Sequence, residues 1–124
     1  MSIKRVLIID DEEAIQKVVQ FGLQMAANWE VLTASSGPEG IVKAQSSQLD
    51  AILLDVMMPE MDGLATFREL QLHPDTQSIP VIFLTAKAQA AEKRLFNDVG
   101  VNGVITKPFN SLDLPEQIVK ILNW

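Results

Sequence analysis

The chain predicts an α/β fold: a doubly wound, five-stranded parallel sheet with five helices. Short apolar runs, mostly branched or aromatic, recur at Val6-Leu7-Ile8-Ile9, Trp29 to Thr33, Ala51-Ile52-Leu53-Leu54, Val81-Ile82-Phe83-Leu84 and Val104-Ile105, each with the length and composition of a strand. Three of these runs lack polar alternation, as expected of parallel strands covered on both faces. Helical spacing fills the intervals, and the strand-helix alternation favours right-handed crossovers with helices on both sides of the sheet.

Taken in order, Ile15, Val18, Val19, Gly22, Met25 and Ala26 mark the first helix as one apolar stripe at three- and four-residue steps. The next helices are expected over Pro38 to Ser47, Leu64 to Leu72 and Ala88 to Val99. The fifth runs from Leu114 to Leu122, with Leu114, Ile118, Ile121 and Leu122 on one face. Asp113 and Glu116 resemble a capping box ahead of it, and Pro115 is tolerated because it falls in the first turn. Trp29 is expected to pack into the core, and Trp124 to cover a helix end or mark a contact surface. His73, the only histidine, reads as a loop residue after the third helix and cannot form a His-based metal site.

A length of 124 residues suits one hydrophobic core and leaves no room for a fused output domain, so a stand-alone module over residues 1–124 is expected. The formal charge of −6 repels a phosphate backbone, which argues against nucleic acid or an anionic membrane as the direct target. The absence of cysteine excludes disulfides, thiolate nucleophiles and Cys-based metal sites. The apolar run behind the basic start ends at Asp10, too short for a signal-peptide core, and a cytoplasmic location is expected.

In an open parallel sheet the ligand crevice lies beyond the carboxyl ends of the strands. Here the first strand ends in Asp10-Asp11-Glu12-Glu13, the third in Asp55, the fourth in Thr85 and the fifth in Thr106-Lys107-Pro108. Three carboxylates converging on one crevice repel one another, so the cluster should raise a pKa or recruit a cation. Oxygen ligands point to Mg²⁺, with Mn²⁺ or Ca²⁺ as substitutes. Each residue also has a plainer reading. Asp10 and Asp11 suit a helix start, Thr85 is β-branched as strands favour, and Lys107 suits a solvated loop. Asp55 is different, because Pro59, Asp62 and Gly63 place a turn-rich loop behind it and no helix that it would cap.

The acidic pair Asp10-Asp11, Asp55 within Leu53-Leu54-Asp55-Val56-Met57-Met58-Pro59-Glu60-Met61-Asp62-Gly63, Thr85-Ala86, and Lys107-Pro108-Phe109 together resemble the receiver domains of two-component response regulators over nearly the full length. The resemblance implies a flavodoxin-like fold. It implies that Asp55 accepts a phosphoryl group from the phosphohistidine of a sensor histidine kinase or phosphotransfer protein. It further implies Mg²⁺ held by Asp10, Asp11, Asp55 and the Met57 backbone carbonyl, with Lys107 and Thr85 meeting the phosphoryl oxygens, and a cis bond before Pro108. The output is then protein binding. An unknown downstream protein or a second copy would meet the fourth helix, fifth strand and fifth helix, near Lys87, Lys93 and Arg94. The resemblance thus implies a phosphoacceptor switch and not a turnover enzyme.

The sequence departs from this pattern at Val104, where receivers usually carry a Tyr or Phe whose ring swings inward with the threonine. The threonine-aromatic coupling therefore does not carry over, and a shift of the loop Ala86 to Ala91 is the expected switch. Two positions that tune phosphoryl lifetime hold Met57 and Lys87. The Met57 thioether cannot align an attacking water, so slow autodephosphorylation is expected, while Lys87 either approaches the phosphoryl oxygens or stays solvated. A haloacid-dehalogenase-type phosphatase would need a second Asp two residues after Asp55, where Met57 stands. A flavin binder would need a Ser/Thr/Gly-rich loop in place of Asp10-Asp11-Glu12-Glu13. A non-phosphorylated scaffold would show the same partner affinity with and without phosphorylation.

Overall fold

The computed structural model describes residues 3–86, 94, 96 and 98–124. Its elements run β1 (Arg5–Ile9), α1 (Glu13–Ala27), β2 (Glu30–Ala34), α2 (Gly37–Ser46), β3 (Ala51–Asp55), α3 (Gly63–Leu72), β4 (Val81–Thr85) and β5 (Gly103–Thr106), then a one-turn 3₁₀ segment (Ser111–Asp113) and α4 (Leu114–Leu122). The five strands are all parallel and pair in the order β2-β1-β3-β4-β5. The expected fourth helix, Ala88 to Val99, lies mostly outside the described residues; Arg94, Phe96, Asp98 and Val99 within it are helical. Among the described residues no helix is long and apolar enough to cross a membrane.

The order places β1 and β3 side by side, with the chain leaving β1 toward one edge and β3 toward the other. A crevice opens at such a reversal, beyond the carboxyl ends of both strands.

Because side chains alternate across a strand, the near-continuous apolar runs feed two separate cores. Leu7, Ile9, Ile52, Leu54 and Phe83 face one side, where Ala44 of α2 and Phe67 and Leu70 of α3 cover them. Val6, Ile8, Leu53, Ile82 and Leu84 face the other, under Val19 and Leu23 of α1 and Leu114 and Ile118 of α4. β3 and β4 are buried along their whole length, as the unalternated runs led one to expect.

Two local expectations are corrected. The buried stripe of α1 is Gln16, Val19, Gly22 and Leu23; Val18 and Met25 point outward, as does Ala26 on the last turn. The buried face is centred on Gln16, Val19 and Leu23, with Gly22 at its edge against Ser111, and at 3.6 residues per turn Val18 and Met25 fall beyond that edge on the solvent side. Asp113 makes no side-chain cap; the 3₁₀ turn ahead of α4 moves that duty to Asn110, whose Oδ1 accepts the Leu112 N–H. Pro115 does sit in the first turn of α4. Trp29 is buried, and Trp124 leans edge-on against it at 5.6 Å between ring centroids, with the Lys4 ammonium 4.4 Å from the Trp124 ring. His73 follows α3 as its C-cap, with Glu69 3.9 Å away.

Candidate functional site

The site assembles at the carboxyl pole of the sheet. Asp10 immediately follows β1, Asp55 and Thr85 are the last residues of β3 and β4, and Lys107 immediately follows β5. All four are therefore set by strands whose apolar residues are locked into the two cores. Parallel pairing carries Thr85 level with Thr106, and the Lys107 N–H donates to the Thr85 carbonyl at 2.8 Å. The Lys107–Pro108 peptide is cis, as the resemblance implied.

Carboxylate oxygens of Asp10, Asp11 and Asp55 lie within 4.8 Å of one another. Asp10 and Asp55 are buried and Asp11 is exposed. Lys107 Nζ stands between the two buried carboxylates, 2.9 Å from Asp10 Oδ2 and 3.3 Å from Asp55 Oδ1. Asp55 Oδ1 also accepts the Met57 N–H at 3.3 Å, and Met57's own side chain is exposed. Thr85 is buried beside them in the chain's fold, at 2% exposure.

Asp10 does not cap α1. The N-cap is Glu12, which makes no side-chain cap bond, while Asp10 Oδ1 accepts the Glu12 N–H at 2.9 Å in a local turn. That geometry turns the Asp10 carboxylate toward Lys107 and Asp55 and away from the helix axis.

The electrostatics follow from burial. Desolvation pushes the Asp55 carboxyl up and the Asp10 charge adds to it; Lys107 and the Met57 N–H pull the other way, and the balance is a rise from 3.8 to about 6. For Lys107, burial works to lower the ammonium pKa, but the hydrogen bond and charge of Asp10, with the charge of Asp55, outweigh it and leave it raised above 10.5. Among the described residues the two buried like charges face one ammonium, and an all-oxygen donor set with Asp11 open to solvent fits a hard divalent cation that keeps several waters.

Of the residues singled out from sequence, Asp10, Asp11, Asp55, Thr85 and Lys107 come together at this pole. Met57 reaches it through its N–H. Lys87 and Lys93 lie outside the described residues, and Arg94 is exposed. Val104 is half-buried, level with Phe83 across the β4-β5 pairing and packed on the first core, so an aliphatic side chain occupies the position where an aromatic ring was missed. One residue at this pole escaped the sequence reading. Gln16 is buried on α1 and bonds the main chain of Asp10. Its only signal was a polar side chain inside an otherwise apolar stripe.

Residues 6–119 match the response regulator receiver domain family. The alkaline phosphatase synthesis transcriptional regulatory protein PhoP of Bacillus subtilis is 35% identical over 119 residues, which cover 96% of this chain and 48% of that protein. The DNA-binding dual master transcriptional regulator RpaA of Synechocystis is 38% identical over 117 residues, covering 94% and 47%. The chain thus spans about half the length of the curated relatives it matches, which leaves the stand-alone expectation without support from them. Among solved structures, the chemotaxis protein CheY4 of Vibrio cholerae is similar with a TM-score of 0.88 at 32% identity, covering 97% of this chain and 99% of that one. With a family match across nearly its whole length and an acidic cluster faced by a lysine at the carboxyl pole of a 2-1-3-4-5 sheet, the chain belongs to the receiver domains of response regulators.

Proposed function

We infer that Asp55 is the phosphoacceptor of a signalling switch, taking a phosphoryl group from the phosphohistidine of a sensor histidine kinase or phosphotransfer protein. The observation that carries this is the convergence of Asp10, Asp11 and Asp55 within 4.8 Å, with Lys107 Nζ bridging two of them. Asp10, Asp11 and Asp55, with the Met57 carbonyl, would hold Mg²⁺, and Mn²⁺ or Ca²⁺ would serve in its place. When bound, the cation supplies positive charge for the transferring oxygens.

The chain's own residues do the rest. Asp55 Oδ1 is engaged by the Met57 N–H and Lys107, which leaves Oδ2 to attack phosphorus. The new O–P bond forms as the P–N bond of the phosphohistidine breaks, and the imidazole leaves with its electron pair and takes up a proton. A carboxylate attacking an anionic phosphoryl group succeeds only where fixed positive charge meets the equatorial oxygens. Lys107 provides it, and the Thr85 hydroxyl donates to another oxygen. The added charge draws Thr85 and Lys107 inward and changes which protein the module binds. We place that output contact on the surface of β5, α4 and the stretch holding Arg94, where a downstream protein or a second copy would dock. The transfer takes place in the cytoplasm.

Incubation with acetyl phosphate and Mg²⁺ should label the wild type and leave Asp55→Asn unlabelled on a phosphate-affinity gel; equal labelling of both would overturn the assignment. In the ion-free protein burial and the Asp10 charge raise the Asp55 carboxyl to about 6, and a cation bound beside it favours the ionised form. A carboxyl NMR titration should therefore find this group titrating near 6 in chelator and moved downward by Mg²⁺; a group that Mg²⁺ leaves unmoved would place the cation elsewhere.

A further inference from the structure

Gln16 lies on the buried stripe of α1 between Ile15 and Val19, 7% exposed, where an unpartnered amide would be costly. Its Nε2 is 2.7 Å from the Asp10 carbonyl oxygen, 3.0 Å from Ser35 Oγ and 3.4 Å from the Ala34 carbonyl oxygen. Two of these neighbours are carbonyls, which only accept, so the amide NH₂ must be the group that faces them. The Asp10 N–H in turn donates to the Ala34 carbonyl at 3.0 Å. Asp10 is thus held at every polar atom: N–H by Ala34, C=O by Gln16, Oδ1 by the Glu12 N–H and Oδ2 by Lys107.

This is more restraint than a strand end requires. The sheet already fixes Ile9 through pairing with both Ala34 and Leu54. Gln16 extends that fixation one residue further, to the point where the chain leaves the sheet and turns toward α1. It also ties the turn to Ser35, whose own N–H donates to Glu39 of α2 at 2.6 Å. A side chain from α1, the end of β1 and the β2-α2 turn are clamped together behind the Asp10 carboxylate.

We propose that Gln16 is a positioning residue for the divalent-cation site, holding the Asp10-Asp11 main chain so that both carboxylates stay converged on Asp55. The proposal rests on the reading of those three residues as cation ligands. Gln16 does not touch the cation. It acts as the outer partners of metal ligands do, by removing the freedom its ligand would otherwise lose on binding, and loss of such a partner costs about 10- to 100-fold in metal affinity.

The test is calorimetric titration of the full chain with Mg²⁺ alone, at a temperature where every variant is folded. Gln16→Met keeps the size and removes the donors; it should weaken Mg²⁺ binding about tenfold or more. Gln16→Asn keeps the amide but shortens it by one methylene, out of reach of the Asp10 carbonyl; it should weaken binding about tenfold and carries the test if Gln16→Met does not fold. Ile118→Val, in the second core away from the site, lowers the melting temperature and should leave Mg²⁺ affinity unchanged. Wild-type affinity in both Gln16 variants, with only a lowered melting temperature, would make Gln16 a mere packing residue and overturn the proposal while the cation site stands. A wild type that takes up no Mg²⁺ would overturn the cation reading, and this proposal with it.

Discussion

Lys107→Ala is expected to lower the melting temperature of the metal-free protein at neutral pH by about 10 °C or more. The Lys107 ammonium is the cation between two carboxylates whose side chains are 0% and 4% exposed, at 2.9 and 3.3 Å. Removing one partner of a buried ionic cluster leaves uncompensated charge and costs about 3 to 5 kcal/mol, and a chain of this size loses about 3 to 5 °C per kcal/mol. The pH dependence has a definite sign. Asp55 titrates at 3.8 in the ordinary state and at about 6 in the fold, so its contribution to stability is greatest below 3.8 and is lost as pH rises toward 6. Without Lys107 the Asp55 carboxyl moves higher still. The deficit of the variant should therefore widen between pH 4 and pH 7 and narrow on acidification, and added Mg²⁺ should narrow it at neutral pH. Thermal melts across pH, with and without Mg²⁺, check this; a variant as stable as the wild type at pH 7 in chelator would contradict it.

Gly22→Ala should destabilise the fold by about 2 to 3 kcal/mol, although the same change at an open helical position stabilises by about 1 kcal/mol. A Cβ at Gly22 would lie 1.9 Å from the Ser111 carbonyl oxygen and 2.5 Å from its carbonyl carbon. Both are main-chain atoms of the 3₁₀ turn, which cannot swing aside as a side-chain tip can. Relief would require α1 to move off the turn that joins Lys107-Pro108-Phe109 to α4. Denaturant melts of Gly22→Ala read the sign directly, and a stabilised variant would show that this contact is looser than its geometry.

The strands and most of the site were legible because both are written locally. An apolar run such as Ala51 to Leu54 can be buried on both faces in few ways, and Asp55 at its end must then emerge at the carboxyl pole. The parts that were misread depend on rotation or on contacts distant in sequence. Val18 and Met25 satisfy the spacing of an inward face, but the packing of Val19 and Leu23 under the sheet centres that face one residue further round the helix and leaves them outside it. Asp113 with Glu116 has the spacing of a capping box, yet the 3₁₀ turn draws the first exposed N–H back to Asn110. Gln16 escaped because its partners, Ala34 and Ser35, belong to the neighbouring strand's exit and are adjacent only once β1 and β2 have paired.

The placement of Trp29 has an optical consequence. It precedes β2, and Trp124 leans on it, so both indoles of the chain lie at the amino ends of the strands. Asp10, Asp55 and Lys107 lie at the carboxyl ends, about 16 Å away along strands that rise about 3.3 Å per residue. Intrinsic emission should consequently report detachment of α4 and stay silent when Mg²⁺ arrives. A quench on Mg²⁺ addition to the folded protein would mean that the two poles communicate through the sheet.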